Sequence, residues 1–271
     1  VRGLIEESPR LGKETAALVA RSLDIGFVAP LLGRFGSASE REQRKIIKVL
    51  KRYPRLPAAV LAGKLAAEKG ANSQFLLGGL LENAEPCGAG ESSLLLPVAE
   101  EKLRECCQLH ILREGLAEHL ARDAADLVRW MTSERIREGI TTILHICAYV
   151  KRDRELHLIP RSLFSGNKKN VDHALESLFL LKDDPIAADL IPFVYAPYAQ
   201  RLEKLAETRC GLTRKDVWDA VGAVLSLDDE LLRAVLLYVL RDIPQRNKFA
   251  ARIAELRQSP HPIESEIALA M

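Results

Sequence analysis

Aromatic side chains are scarce in this chain: 2 Trp, 5 Tyr and 7 Phe in 271 residues. Strand cores draw on aromatic and β-branched residues, so this shortage, beside abundant Ala and Leu, weighs against a sheet. Long apolar runs are also missing. The greasiest stretch, Ile186 to Ala199, is broken by Asp189, Pro192 and Pro197, and no run approaches the ~18–20 residues that cross a bilayer as a helix. Charge of one sign is lacking too: 39 Lys and Arg face 37 Asp and Glu, for a net charge of +2. That balance is too even to point to a nucleic acid or an acidic surface by itself. The five cysteines are an odd number without the spacing of a disulfide framework, which fits a reducing compartment. Glu6 and Glu7 come too early for a secretory h-region. The opening Val1 suggests a piece of a larger protein.

What is present is helical periodicity. Val28, Leu31, Leu32 and Phe35 share one helix face, and Ser39 with Glu42 forms a capping box before Ile46, Val49 and Leu50. A first helix is expected from Pro9 to about Leu23. Further helices are expected over 57–69, 73–81, 94–119, 123–131, 133–150, 154–164, 167–181, 185–194, 198–210, 213–225, 229–241 and 244–257, with a last one from Ile263. The spacing predicts about fifteen helices and an all-α chain. The richest loop signal is Glu85 to Ser93, with Pro, two Gly and two Ser, and it is read as a sub-boundary within one domain spanning 1–271.

Helix pairs recur. Several second helices open on an apolar–Arg step, most clearly Ile136-Arg137 and Leu232-Arg233, then Leu103-Arg104 and more weakly Gln43-Arg44. Equivalent arginines of this kind are expected to bond an acidic or carbonyl group of the adjacent pair. Tandem pairs imply a right-handed α-α superhelix of antiparallel helices, in which each pair buries its apolar stripe against its neighbours.

Ala29-Pro30-Leu31-Leu32 followed by Glu40 to Leu50, Ile159-Pro160 followed by Val171 to Leu181, Leu212 to Arg241, and Ser259 to Ala270 resemble HEAT repeats, in which the first helix carries a Pro and the second an apolar–Arg step. From Ile136 onward, Ala174-Leu175-Glu176-Ser177-Leu178, Leu190-Ile191-Pro192, Trp218, Leu232-Arg233 and Ser259-Pro260 resemble the HEAT-like soluble region fused to bacterial membrane carriers similar to the ATP/ADP translocases. That resemblance implies a cytosolic appendage of an inner-membrane protein, hence a cytoplasmic location close to a membrane surface. It carries over no transport residues.

Candidate sites are few. Arg41, Lys45, Lys48 and Arg52 fall at spacings of four, three and four, so they share a helix face. Arg44 broadens the stripe, as do Lys51 and Arg55. Such a stripe attracts phosphates, acidic lipid or an acidic partner, and a solvated face is the plain alternative. No aromatics interleave, which speaks against stacking on unpaired bases. Cys106, Cys107 and His110 offer metal-ligand chemistry, but no second pair completes the four ligands of a structural zinc site, so no metal is expected and the cysteines read as small buried residues. Gly88-Ala89-Gly90-Glu91-Ser92-Ser93 has no Lys to reach a phosphate and no strand before it. His145, between Leu144 and Ile146, reads as a hydrogen-bonded core histidine. No carboxylate pair has the spacing of acid–base work.

These observations point to a non-catalytic interaction or regulatory scaffold without a cofactor, binding a protein partner or the other domains of its parent chain. The alternative is a HEAT-like nucleic-acid binder of the DNA base-excision type, which the balance of Lys and Arg against Asp and Glu disfavours. A small-molecule lyase or hydrolase has no residue set behind it.

Overall fold

The computed structural model describes residues 25–271 apart from Pro54, Lys69 and Arg154, so the helix expected over 9–23 lies outside the described residues. Among them there are α-helices and short 3-10 turns but no strand. A lone parallel bridge joins Leu56 to Ala84, with Asn83 and Leu56 carbonyls accepting from Leu56 and Glu85 N–H at 2.8 and 2.9 Å.

Four helices come first: α1 Val28–Phe35, α2 Glu40–Leu50, α3 Ala58–Ala67 and α4 Ala71–Gly78. Each buries one stripe. In α1 the expected Val28, Leu31, Leu32 and Phe35 are all buried. In α2 the predicted capping box is present, with Ser39 N–H and Oγ donating to Glu42 Oε2 at 3.0 and 2.8 Å. These two bonds hold the exposed Glu42 carboxyl below its ordinary range. Two helices of another scale follow, α5 Ala89–Leu116 and α6 Arg122–Lys151. They form an antiparallel hairpin about 40–45 Å long at 1.5 Å per residue.

Both long helices revise the sequence reading. The loop expected over 85–93 ends at Gly88, because Glu91 accepts from the Gly88 N–H at 2.8 Å and starts the helix there. Pro97 then lies inside α5. The carbonyl it leaves without a partner, on Ser93, sits on an exposed part of the helix where water can reach it. Likewise the break expected at Thr132 is absent. Its side chain is fully buried, and its hydroxyl donates to the Val128 carbonyl at 2.7 Å instead of capping a new helix.

The remaining helices are α7 Ile159–Leu163, α8 Lys168–Leu180, α9 Pro185–Val194, α10 Leu202–Cys210, α11 Val217–Leu225, α12 Glu230–Leu240, α13 Ala250–Leu256 and α14 Pro262–Leu269. Several of the predicted helices open as 3-10 turns, at Glu155–Leu158, Ala196–Arg201, Arg214–Asp216 and Pro244–Phe249.

Contacts between elements sort most of the helices into two layers. In one layer α1 packs on α3, α3 on α5 and α5 on α11. In the other α2 packs on α4, α4 on α6, α6 on α12 and α12 on α14. Within each pair, α1 meets α2, α3 meets α4, α5 meets α6, α11 meets α12 and α13 meets α14. The segment α7–α10 departs from this order. It packs as a chain of neighbours along the hairpin, with α7 on α6, α9 on both long helices and α10 on α5. The extra length of α5 and α6 makes room for it. At the end where α6 finishes, Lys151 Nζ meets Asp184 Oδ2 at 3.0 Å. At the other end Gly115 lies directly under Val217 of α11. A single connected apolar core runs from Val28 to Ala268.

Candidate interaction surface

α2 presents two faces. Its inner face carries Gln43, Ile46, Ile47 and Leu50, all buried. The Gln43 amide donates to the Phe35 carbonyl and to Ser73 Oγ, both at 3.1 Å, which fixes the helix to its partner α1 and to α4. The outer face carries the predicted stripe. Arg41, Arg44 and Lys48 are exposed and Lys45 is half-buried, while Arg52 lies in the turn just past the helix end. Arg44 pairs with Glu40 at 2.5 Å. Arg41 and Lys48 make no ion pair among the described residues. Their positive charge is therefore left to solvent or to a partner.

Arg41, Arg44, Lys45, Lys48 and Arg52 line neither of two clefts among the described residues, although Arg55 at the edge of the stripe lines one of them, and the other cleft residues are ones the sequence reading did not bring together. A cleft of about 350 Å3 runs beside α6, lined by Phe75, Arg137, Thr141, His145, His157 and Phe164 among others. A second, of about 360 Å3, adjoins it and shares Glu82 and His157. They meet only through the fold, since their walls come from α4, α6, α7 and two 3-10 turns. No short spacing in the sequence signals them.

His145 and His157 stand with their Nδ1 atoms 3.0 Å apart. One ring must donate and the other accept. Burial, then the neighbouring His157 and Lys51, push His145 down to about 4, so it is neutral at physiological pH. His145 is hydrogen-bonded as expected, but it is half-buried and lines the cleft instead of lying in the core. Charge in the clefts is mixed: Arg55, Arg137, Arg152 and Arg161 are countered by Glu82, Glu85, Glu138 and Asp153. Such a lining has no preference for an anion or a cation.

A third group of charges sits at the joint between the hairpin and α12. Lys102 meets Glu105 at 2.5 Å, and Arg135 meets Glu138 at 2.7 Å and Asp229 at 2.5 Å. The shortest Arg135–Asp229 approach, from Nε to Oδ2, is an ion pair too far out of line to be a hydrogen bond, while Nη2 does donate to Asp229 Oδ1 at 3.0 Å. Asp229 Oδ1 also caps α12 by accepting from Leu232 N–H at 3.1 Å. Burial holds the Glu105 carboxyl above its ordinary range in spite of Lys102. For Arg135, Asp229 and Glu138 outweigh the effect of burial and raise it further. Every charge is committed to a neighbour, so this cluster pins the joint and is not poised for chemistry.

The three clearest apolar–Arg steps do not all behave alike. Arg233 is buried and its Nε donates to Glu264 Oε1 of the next pair at 2.6 Å. Arg104 is half-buried and Arg137 exposed, and each pairs with a glutamate of its own helix, Glu101 and Glu134. Only Arg233 joins one pair to the next. Cys106 and Cys107 are buried. His110 instead meets Arg113 through Nδ1 at 3.2 Å and Phe193 edge-on. Among the described residues no group of three His, Cys, Asp or Glu is placed to hold a metal ion, and no helix is long and apolar enough to cross a membrane.

Compared with known proteins, the chain matches no family model, no curated protein and no solved structure.

Proposed function

We propose that this chain is a HEAT-like α-solenoid with a right-handed superhelix, acting as a non-catalytic scaffold that docks an acidic protein surface on the outer layer of its N-terminal pairs. The observation that carries the reading is the outer face of α2. Arg41 and Lys48 stand exposed without ion pairs among the described residues, on a helix whose other face Gln43 locks into the stack. Rigid placement matters, because a row of charges held in register steers and orients a partner at little entropic cost. The two-layer order of helix pairs supports the solenoid, with α7–α10 as an insertion alongside the long hairpin. The resemblance to the soluble region of translocase-like carriers supports a place on the cytosolic side of a bacterial inner-membrane protein, where the acidic partner is another domain of the same parent.

Titration with poly-glutamate at low ionic strength tests this. Binding should weaken steeply with added salt, and Arg41→Glu with Lys48→Glu should reduce affinity by about tenfold or more, as rim charges of an electrostatic interface do. Equal binding by the double variant would refute the reading. Tighter binding of duplex DNA than of the polypeptide would favour the nucleic-acid alternative instead.

A further inference from the structure

Cys107 and Cys210 come from helices more than a hundred positions apart, yet they meet. Cys210 is the last residue of α10, followed by Gly211 in the left-handed conformation (φ 68°), which ends the helix at that point. Leu202, Ala206 and Cys210 follow one another at i, i+4 on one face, and the first two are buried. The small side chain of Ala206, fully buried, lets α10 approach α5 closely. Cys210 Sγ reaches the Arg104 carbonyl of α5 at 3.4 Å, one turn before Cys107. Cys107 stands one turn further along α5 from that carbonyl, which makes the two thiols neighbours, and each thiol shifts the titration of the other.

The two sulfurs are not alike. Cys107 is fully buried, whereas Cys210 is partly exposed. The Cys107 hydrogen bond holds the Cys210 thiol below its ordinary value. Burial opposes this shift and the Arg104 guanidinium assists it. The same hydrogen bond and burial push Cys107 up. Cys106 is directed elsewhere: its thiol donates to the Ile136 carbonyl at 3.8 Å, and a Cβ on Gly139 would come within 2.6 Å of its sulfur. It faces α6, as a neighbour about 100° away around a helix should when Cys107 faces α10.

We propose that Cys107 and Cys210 are an oxidisable dithiol that a hydroperoxide closes to a disulfide, fastening α10 to the central hairpin. In the first step the Cys210 thiolate attacks the terminal oxygen of the hydroperoxide. An S–O bond forms, the O–O bond breaks, sulfur loses two electrons to oxygen, and hydroxide or an alkoxide leaves, giving Cys210 sulfenic acid. In the second step the Cys107 sulfur attacks that sulfenic sulfur. The S–S bond forms, the S–O bond breaks, and the Cys107 proton leaves with the oxygen as water. A dithiol reductant reverses the bond by exchange. The exposed, more acidic sulfur is the one that reacts and the buried one resolves it, the arrangement that redox-responsive cysteines require. Such a bond ties down the one segment that departs from the two-layer order.

Hydrogen peroxide added to the reduced protein should remove two hydrogens from the intact mass and leave a tryptic peptide joining residues 105–113 to 210–214, which dithiothreitol separates. Cys106→Ala should keep that link and Cys107→Ala abolish it, leaving Cys210 to oxidise further to the sulfinic acid. In the untreated protein iodoacetamide should label Cys210 before Cys87 and Cys147, and Cys107→Ala should slow that labelling by about an order of magnitude at neutral pH. If Cys107→Ala does not fold, the wild-type peptide still decides. Sulfinic Cys210 beside a free Cys107, a link through Cys106, or no link at all would overturn the proposal.

Discussion

Replacing Arg233 with Met should cost far more than its place near the end of the chain suggests. The Arg233 Nε donates to Glu264 Oε1 at 2.6 Å, and its Nη1 donates to the Leu227 carbonyl at 2.5 Å. Glu264 is fully buried and has one other partner, Ser259 Oγ at 2.6 Å. Methionine fills much of the volume of the arginine stem but leaves the carboxylate uncompensated. Breaking a buried pair in this way costs about 3–5 kcal/mol, because the remaining charge keeps its desolvation penalty. For a domain of this size that corresponds to a drop of roughly 6–20 °C in melting temperature. In a stack of helix pairs the loss should fall first on α13 and α14, which pack on each other and, through α14, on α12. Hydrogen exchange resolved by residue is therefore the informative assay. Protection in α14 should collapse while that in α5 and α6 persists. Changing both residues, Arg233→Met with Glu264→Leu, should recover most of the loss, because no charge is then stranded. A penalty under about 1 kcal/mol for the single change, or a double variant no better than the single, would refute the account of Arg233 as the pin between successive pairs.

The histidine pair gives a pH dependence with a defined sign. His145 is depressed from its ordinary value near 6.5 to about 4, so its contribution is present above pH 6.5 and is lost as pH falls through 6.5 toward 4. The loss amounts to about 3 kcal/mol at most, and His145→Gln should remove that acid limb from a plot of stability against pH. Gly139→Ala should destabilise by about 1–3 kcal/mol, since its Cβ would lie 2.6 Å from Cys106 Sγ; Cys106→Ala in the same chain should restore most of it in a denaturant titration. Asp184→Ala removes a cap that accepts from Ile186 and Ala187 N–H at 3.0 and 2.9 Å and an ion pair with Lys151. It should cost about 1–2 kcal/mol, seen as lower thermal stability at pH 7.

The helices were legible because their determinants are local. The capping box at Ser39 and the stripe of Val28, Leu31, Leu32 and Phe35 are contained within a few turns, and the structure has both. The two long helices were not, because short-range signals at their ends mislead. Gly88 and Gly90 read as loop, yet the Glu91 carboxylate bonds the Gly88 N–H and opens a helix there. Thr132-Ser133 reads as a break, yet the Thr132 hydroxyl is consumed by the Val128 carbonyl and the helix continues. In one case a carboxylate caps the helix from within its first turn, and in the other a hydroxyl is spent on a carbonyl of its own helix.

The site divides along the same line. The basic stripe on α2 is a single-helix feature, and its residues share a face as the spacing implied, apart from Arg52 in the turn beyond. The three apolar–Arg steps look equivalent in sequence, and what separates them is whether an acid from a different helix lies within reach. Glu264 does so for Arg233 from 31 positions away. For Arg104 and Arg137 the glutamate three residues before, on the same helix, is nearer than anything across the interface. Spacing therefore identifies the class of residue, but the partner is chosen by packing. The same logic joins Cys107 to Cys210 and His145 to His157. Each pair takes one member from the long hairpin, Cys107 from α5 and His145 from α6.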